Sequence, residues 1–287
     1  MRRADLRHPI ESLERTGDRW SQWSSVPMIE MSALETYRFL RARIPPPPQR
    51  VLEVGCGNGY VTLELARDGY TVVGLDQSPD ILAVAHHSRE ASADTPGFGT
   101  VDYVCADIRT WPIPEDRFDV VLLNRTLHHL YDFQPLLTKL HGLLVPDGLL
   151  ICQEYAYDRL DKRTASWVYA MQRLLFLSGL SPDNPATTPD DISSLQAFQT
   201  AWFEKAEKRE HPLNRYEEML RALHAAFPPQ YFSWVPYVFV YLGNGIRPLP
   251  QEQERAVLTF LRDMEQHLIA IEAIQASGFR YVGRAQN

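Results

Sequence analysis

No run of 18 apolar residues occurs in the 287-residue chain, so no membrane-spanning helix is expected. Cysteine is scarce. The three residues, Cys56, Cys105 and Cys152, form no C-x-x-C pair, which excludes a disulfide framework or a cysteine-built zinc site. All three fall in or beside predicted core strands, where a small buried hydrophobe is the expected role. Positive charge is in deficit as well. The net balance of −7 argues against a surface built to hold nucleic acid. The opening residues, MRRADLRHPI, carry arginines with no apolar run behind them, so no signal peptide and a cytoplasmic setting are expected. No internal repeat is present, and the one biased tract is Pro45 to Pro48. What remains is a globular composition, 45% hydrophobic and 23% charged, in a chain long enough for one large domain or a domain with a substantial insert.

The most informative stretch is VLEVGCGNGY, Val51 to Tyr60. Val51, Leu52 and Val54 read as a short buried strand, and Tyr60 to Arg67 as an amphipathic helix. Gly55, Gly57 and Gly59 make the turn between them. A strand, a glycine loop and a helix together let backbone approach a ligand and aim free N–H groups at it. The glycines run G-x-G-x-G, unlike the G-x-G-x-x-G of dinucleotide sites. An acid, Glu53, precedes the first glycine, where a cationic ligand group could meet it.

This stretch resembles motif I of the class I S-adenosylmethionine (SAM)-dependent methyltransferases of the small-molecule type. The resemblance implies that Glu53 orients the methionine part of the cofactor and that Gly55, Gly57 and Gly59 admit it. A second strand, Thr71 to Leu75, ends in Asp76, about 20 residues past the loop. Its carboxylate can accept from two ribose hydroxyls. Ser78 and Pro79 suffice to start the next helix, Pro79 to Arg89, which would leave Asp76 for a ligand. GLDQSP is similar to the family's second cofactor motif, implying Asp76 on the ribose and Gln77 beside the adenine. After a third strand, Val101 to Cys105, the family places an acid on the adenine amino group and an apolar residue on its ring. Asp107 and Ile108 stand at those positions.

A fourth strand, Phe118 to Leu123, is nearly all apolar, as a strand buried on both faces should be. The stretch that leaves it, NRTLHHLYD, sits at the carboxyl edge where ligands bind in open α/β sheets. Asn124 counts with the cofactor set. His128 and His129 are candidate bases, because imidazole titrates near neutral pH. The packing alternative is that one of them caps the following helix, Phe133 to Leu144. The D/N-P-P-Y/F motif of enzymes that methylate nucleobase amino groups is absent. Leu149 to Gln153 is the fifth strand. Glu154 ends it at the same edge as Asp76, Asp107 and the histidines, within reach of an imidazole. Metal-dependent catechol methyltransferases carry Asp-Asn near this point. Here the pair is Glu154–Tyr155, so no metal is expected.

Flanking segments fall outside the resemblance. Residues 1–49 are read as a helical arm with a proline spacer. It either packs on the sheet edge or forms a flap whose Trp20 and Trp23 cover the site. Residues 50–154 are the SAM-binding core. From 155 to 230 the alternation of strand and helix stops, and three helices are predicted: Arg159 to Ser178, Asp191 to Arg209, and one from Asn214, with Glu217 completing something close to a capping box. This insert is expected to cap the acceptor site, although its aromatics also suit a core of their own. Residues 231–287 return to the core sheet, with a sixth strand from Trp234 to Leu242, a helix from Pro250 to Ala276 and a last strand from Phe279 to Val282.

The fold class expected is therefore α/β: a Rossmann-like class I methyltransferase fold, with a seven-stranded, mostly parallel sheet and an inserted helical cap. The expected activity is methyl transfer from SAM to a small organic molecule in natural product biosynthesis, with O preferred over N or C. The acceptor is the expected partner, with no nucleic acid or membrane, and any self-assembly is expected to be a homodimer. The rivals are a SAM-binding enzyme of the same fold that transfers no methyl, such as a cyclase, and a non-catalytic partner subunit.

Overall fold

The computed structural model describes residues 26–90, 97–185, 191–208 and 212–285. Trp20 and Trp23 lie outside them. The chain gathers into two compact units. The first holds residues up to Glu154 together with Glu217–Phe232 and the residues from Arg280. The second holds Tyr155–Tyr216 and Ser233–Phe279, so the late segment of the chain groups with the inserted helices.

In the first unit, strands β1 (Arg50–Val54), β2 (Thr71–Asp76), β3 (Thr100–Cys105), β4 (Phe118–Asn124) and β5 (Leu144–Tyr155) alternate with helices α2 (Tyr60–Arg67), α3 (Pro79–Glu90) and α4 (Phe133–Leu143). Helix α1 (Leu34–Arg41) precedes them. With β6 (Pro229–Val235) and β7 (Gly278–Arg284) the sheet runs β3-β2-β1-β4-β5-β7-β6. This is the seven-stranded, Rossmann-like sheet expected. The four pairings among β1–β5 are parallel, with Val51 level with Val72 and Val120. Strand order reverses between β1 and β4, the position at which open α/β sheets form a ligand crevice beyond their carboxyl ends.

Burial explains why these strands form where they do. Val51, Leu52, Val120 and Val121 are fully buried, as central parallel strands covered on both faces require. Strand β3 lies at the sheet edge and alternates instead: Val101 and Tyr103 are buried, Thr100 and Asp102 exposed. That edge position corrects the reading of the cysteines. Cys56 and Cys152 are buried, but Cys105, the last residue of β3, is exposed.

The described part of the N-terminal arm packs on the core. Tyr37, Phe39 and Leu40 of α1 join the cluster built from β1, α2 and β2. A short polar chain fixes it. Gln153 Nε2 donates to Thr36 Oγ1 at 2.6 Å, and Arg280 Nε donates to Gln153 Oε1 at 2.8 Å.

The second unit contains α5 (Lys162–Leu177), α6 (Asp191–Glu207), α8 (Val238–Asn244) and α9 (Gln251–Ala270). Helix α7 (Tyr216–Ala226) begins two residues after Asn214, and Tyr216 N–H donates to Asp158 Oδ1 at 3.1 Å. The predicted strand from Trp234 to Leu242 is corrected. The strand stops at Val235, before Pro236, and the apolar residues from Val238 form α8. Proline cannot donate to a ladder. The helix then starts because the Glu265 carboxylate accepts from the N–H groups of Tyr237, Val238 and Phe239 at 2.8–3.0 Å. Those are donors a helix N-terminus otherwise leaves without partners. Glu265 is fully buried. Burial pushes its carboxyl up to about 7, with the three N–H donors pulling the other way. Among the described residues no helix is long and apolar enough to cross a membrane.

Candidate active site

The site is built on the loops that leave β1, β2, β3, β4 and β5. The glycine turn is left-handed at all three glycines, with φ of +70°, +56° and +74° at Gly55, Gly57 and Gly59. They do different work. A Cβ on Gly55 would strike the Thr126 side chain at 2.4 Å, and one on Gly59 the Tyr103 hydroxyl at 2.4 Å. Nothing lies within 4 Å of a Cβ on Gly57. Two glycines therefore admit protein, and Gly57 faces open space where a ligand could lie against backbone.

Glu53 sits behind this turn, 2% exposed. Its carboxyl is pushed up to about 8, chiefly by burial, while Arg125, the Asn124 side chain and Thr62 N–H favour the ionised form. Glu53 Oε2 and Asn124 Oδ1 are both buried without a hydrogen-bond partner. Unpaired buried acceptors are expensive, and an ammonium group would satisfy both atoms. The next residue, Arg125, has φ of +57°. A non-glycine residue there carries backbone strain of a kind found at functional sites. Sequence reading passed over Arg125 and Thr126.

Asp76 is held more firmly than expected. Its Oδ1 accepts from Ser78 N–H and its Oδ2 from Gly57 N–H, each at 2.9 Å. The carboxylate thus takes part in starting α3, which Ser78 and Pro79 were expected to manage alone. It also ties the glycine turn to the tip of β2. Each oxygen retains a second lone pair for a ligand hydroxyl. Gln77 beside it is exposed.

Asp107 is gripped by Arg109. The guanidinium Nε lies 3.0 and 2.9 Å from the two carboxylate oxygens, and Arg109 N–H adds a bond of 2.9 Å to Oδ1. This pairing holds the Asp107 carboxyl below its ordinary range. The Arg109 guanidinium also covers the Tyr131 ring at 4.3 Å. Asp107 thus reaches a ligand only alongside Arg109, a partner two residues away in sequence. Ile108 is 1% exposed.

The structure brings His128 and Glu154 together. Glu154, at the end of β5, is fully buried. Its Oε1 accepts from Thr126 and Leu127 N–H at 2.7 and 2.5 Å, and its Oε2 lies 2.6 Å from His128 Nδ1. An ionised carboxylate only accepts, which puts a ring proton on Nδ1 and makes Nε2 the acceptor nitrogen of the neutral imidazole. A tautomer fixed in this way is what a general base needs. His129 is exposed, and its ring lies 4.1 Å from that of His128.

The fold is the Rossmann-like fold of class I SAM-dependent methyltransferases. Residues 52–152 match the family described as "Methyltransferase domain". Over 123 residues the chain is 36% identical to a ubiquinone biosynthesis O-methyltransferase of Cereibacter sphaeroides, an alignment covering 43% of this chain and 48% of that one. The chain thus spans about half the length of such a relative. Among solved structures it is similar to phosphoethanolamine N-methyltransferase 2 of Haemonchus contortus in complex with SAM, with a TM-score of 0.57 and 16% identity over 97% of this chain and 60% of that one. It is also similar to the [4+2]-cyclase SpnF, with a TM-score of 0.53 and 15% identity over 89% and 82% of the two chains.

Proposed function

We propose that the protein is a SAM-dependent methyltransferase acting on a small organic molecule, with oxygen the preferred acceptor atom. The observation that carries this reading is the buried Glu53 Oε2, without a partner beside a glycine turn that is open at Gly57. The residues present suit SAM. Glu53 and Asn124 would hold its amino-acid end, Gly57 backbone would pass along it, and Asp76 would take the ribose. Gln77, Asp107 and Ile108 would border the adenine. Bound SAM supplies an activated methyl group. The protein's own part is then to align the acceptor and, where the acceptor is a hydroxyl, to remove its proton. His128 Nε2 is the base in this reading, with Glu154 holding the ring. His129 serves as a neighbour to His128 and not as a second base.

The preference for oxygen is supported by the curated relative, an O-methyltransferase. A cytoplasmic setting and a role in natural product biosynthesis go with the reading as proposals, the latter supported by the aromatic side chains of the second unit. The test is to supply SAM with a panel of phenols and aromatic acids and to follow S-adenosylhomocysteine (SAH) and product together. One SAH per methylated product is expected. Product formed without SAH would replace the reading with that of a cyclase-like enzyme, and failure to bind SAM or SAH would remove it altogether.

A further inference from the structure

The second unit contains an open cavity of about 420 Å³. That size lies within the range of pockets that take organic ligands. Its walls are largely aromatic, with Tyr155, Tyr237, Phe198, Trp202 and Tyr241 among the lining residues. The rings are set by one another. Tyr155 and Tyr237 stack at 4.6 Å and 28°, and Trp202 meets Tyr241 edge-on at 4.6 Å and 71°. Trp202 Nε1 already donates to the Tyr157 carbonyl at 3.1 Å, so the indole has its ring face, not its N–H, to offer a ligand.

The polar groups in the wall are phenol hydroxyls, the amides of Gln172 and Asn244, and Lys205. Gln172 Nε2 donates to the Tyr241 hydroxyl at 3.2 Å, which leaves that hydroxyl its proton to give. Burial pushes the Tyr155 and Tyr241 phenols up, so both remain neutral O–H groups at physiological pH. Among the described lining residues there is no carboxylate, and Lys205 is the one ionised side chain. Stacked faces select a flat apolar body. The phenol hydroxyls and amide N–H groups can donate to a hydroxyl or carboxylate at one end of it, and Lys205, an exposed residue of the wall, adds positive charge. A cation would find ring faces but no carboxylate among the described lining residues, and would meet Lys205.

We propose that this cavity binds a planar aromatic molecule bearing one hydroxyl or carboxylate group, and that it discriminates against cationic amines. The inference rests on the methyltransferase reading in naming that molecule as the acceptor class. The binding chemistry itself is independent of it. An anion preference would run against the net charge of −7 and so would have to come from the cavity.

The test uses the full chain saturated with SAH and three fluorescent probes: 1-anilinonaphthalene-8-sulfonate, its neutral analogue N-phenyl-1-naphthylamine, and the flat cation berberine. The sulfonate is expected to bind with one site per chain and more tightly than berberine. Ala201, on the cavity wall, is the filling position. Ala201→Phe should weaken both naphthyl probes by about tenfold or more, equivalent to 1.4 kcal/mol, with SAH affinity unchanged. Ala197→Phe, at a second wall position, should do the same and stands in if the first variant does not fold. Lys205→Gln should weaken the sulfonate by several-fold and leave the neutral probe unchanged. If both filled variants bind the probes as the parent does, or if berberine binds more tightly than the sulfonate, the proposal is overturned. SAH binding read in the same samples separates the two readings. Its absence from a folded parent that still binds one sulfonate would sink the methyltransferase reading and leave the cavity assignment standing.

Discussion

The buried Glu53 carboxyl should make cofactor affinity depend on pH, and the size of the effect follows from its surroundings. Burial places its pKa at about 8 in the ligand-free protein. It is then ionised in roughly one molecule in ten at pH 7 and one in a hundred at pH 6. An ammonium beside Oε2 stabilises the ionised form, so binding must first remove the proton. That step opposes binding by about 1.4 kcal/mol at pH 7 and about 2.7 kcal/mol at pH 6. The sign is fixed: affinity rises with pH up to the carboxyl's own pKa and flattens above it. SAH retains the ammonium and is the convenient ligand. Calorimetric titrations should give a Kd that falls about tenfold from pH 6 to 7 and about fivefold from 7 to 8. Repeating them in two buffers of different ionisation enthalpy should count about 0.9 proton released per SAH at pH 7. Glu53→Gln should bind more weakly at pH 8, with a flat profile. A flat Kd for the parent between pH 6 and 8, with no proton released, would refute the reasoning, because either the ammonium lies elsewhere or the carboxyl is already ionised.

Other consequences can be measured directly. His128→Ala should slow single-turnover methyl transfer by about 10²–10⁴-fold at unchanged SAH affinity, and a loss of less than tenfold would mean that the acceptor needs no base from this residue. Gly57→Ala should destabilise the fold by about 1–2 kcal/mol, the cost of a left-handed alanine. Gly59→Ala should cost more, because its Cβ falls 2.4 Å from the Tyr103 hydroxyl, and urea unfolding of the pair would show equal losses if the contact were unimportant. Glu265, with its carboxyl raised to about 7, loses its proton in the unfolded chain before the folded one. Stability should therefore fall as pH rises from about 5 to 7. Glu265→Gln should flatten that part of the profile, and a slope that survives the substitution would assign it to another group.

Much of the first unit was legible because its signals are local. Buried parallel strands show as apolar runs, and α2 and α3 begin beside a glycine turn and at Ser78–Pro79, so their predicted starts coincide with the observed ones. The sixth strand failed for the opposite reason. Val238 to Leu242 is apolar at every position, so it has no period to read. Its conformation is decided by Glu265, more than 20 residues away. The site shows the same division. Glu53, Asp76 and the glycines stand out by spacing. That Asp76 would be occupied by Gly57 and Ser78 backbone, or that two glycines would face Thr126 and Tyr103, depends on which loops meet. The grip of Arg109 on Asp107 was available from their spacing, since a side chain two residues on readily folds back to a turn. Cys105 was misjudged because a strand's place in the sheet, edge or centre, cannot be read from the strand itself.

Glu154 has two obligations that cannot be separated by substitution at that position. The same carboxylate holds the backbone turn after β4, through Thr126 and Leu127, and the ring of His128. A descendant of this protein that abandoned proton abstraction could discard His128 at the cost of the bond to Glu154 Oε2. It could not as readily discard Glu154, whose removal would leave two N–H groups stranded and release the turn that presses Thr126 against Gly55. Descent would then erase the histidine first and keep the acid as a relic of folding. In sequences related to this one, a glutamate here would testify to the shape of the loop, and only the histidine beside it would testify to proton abstraction.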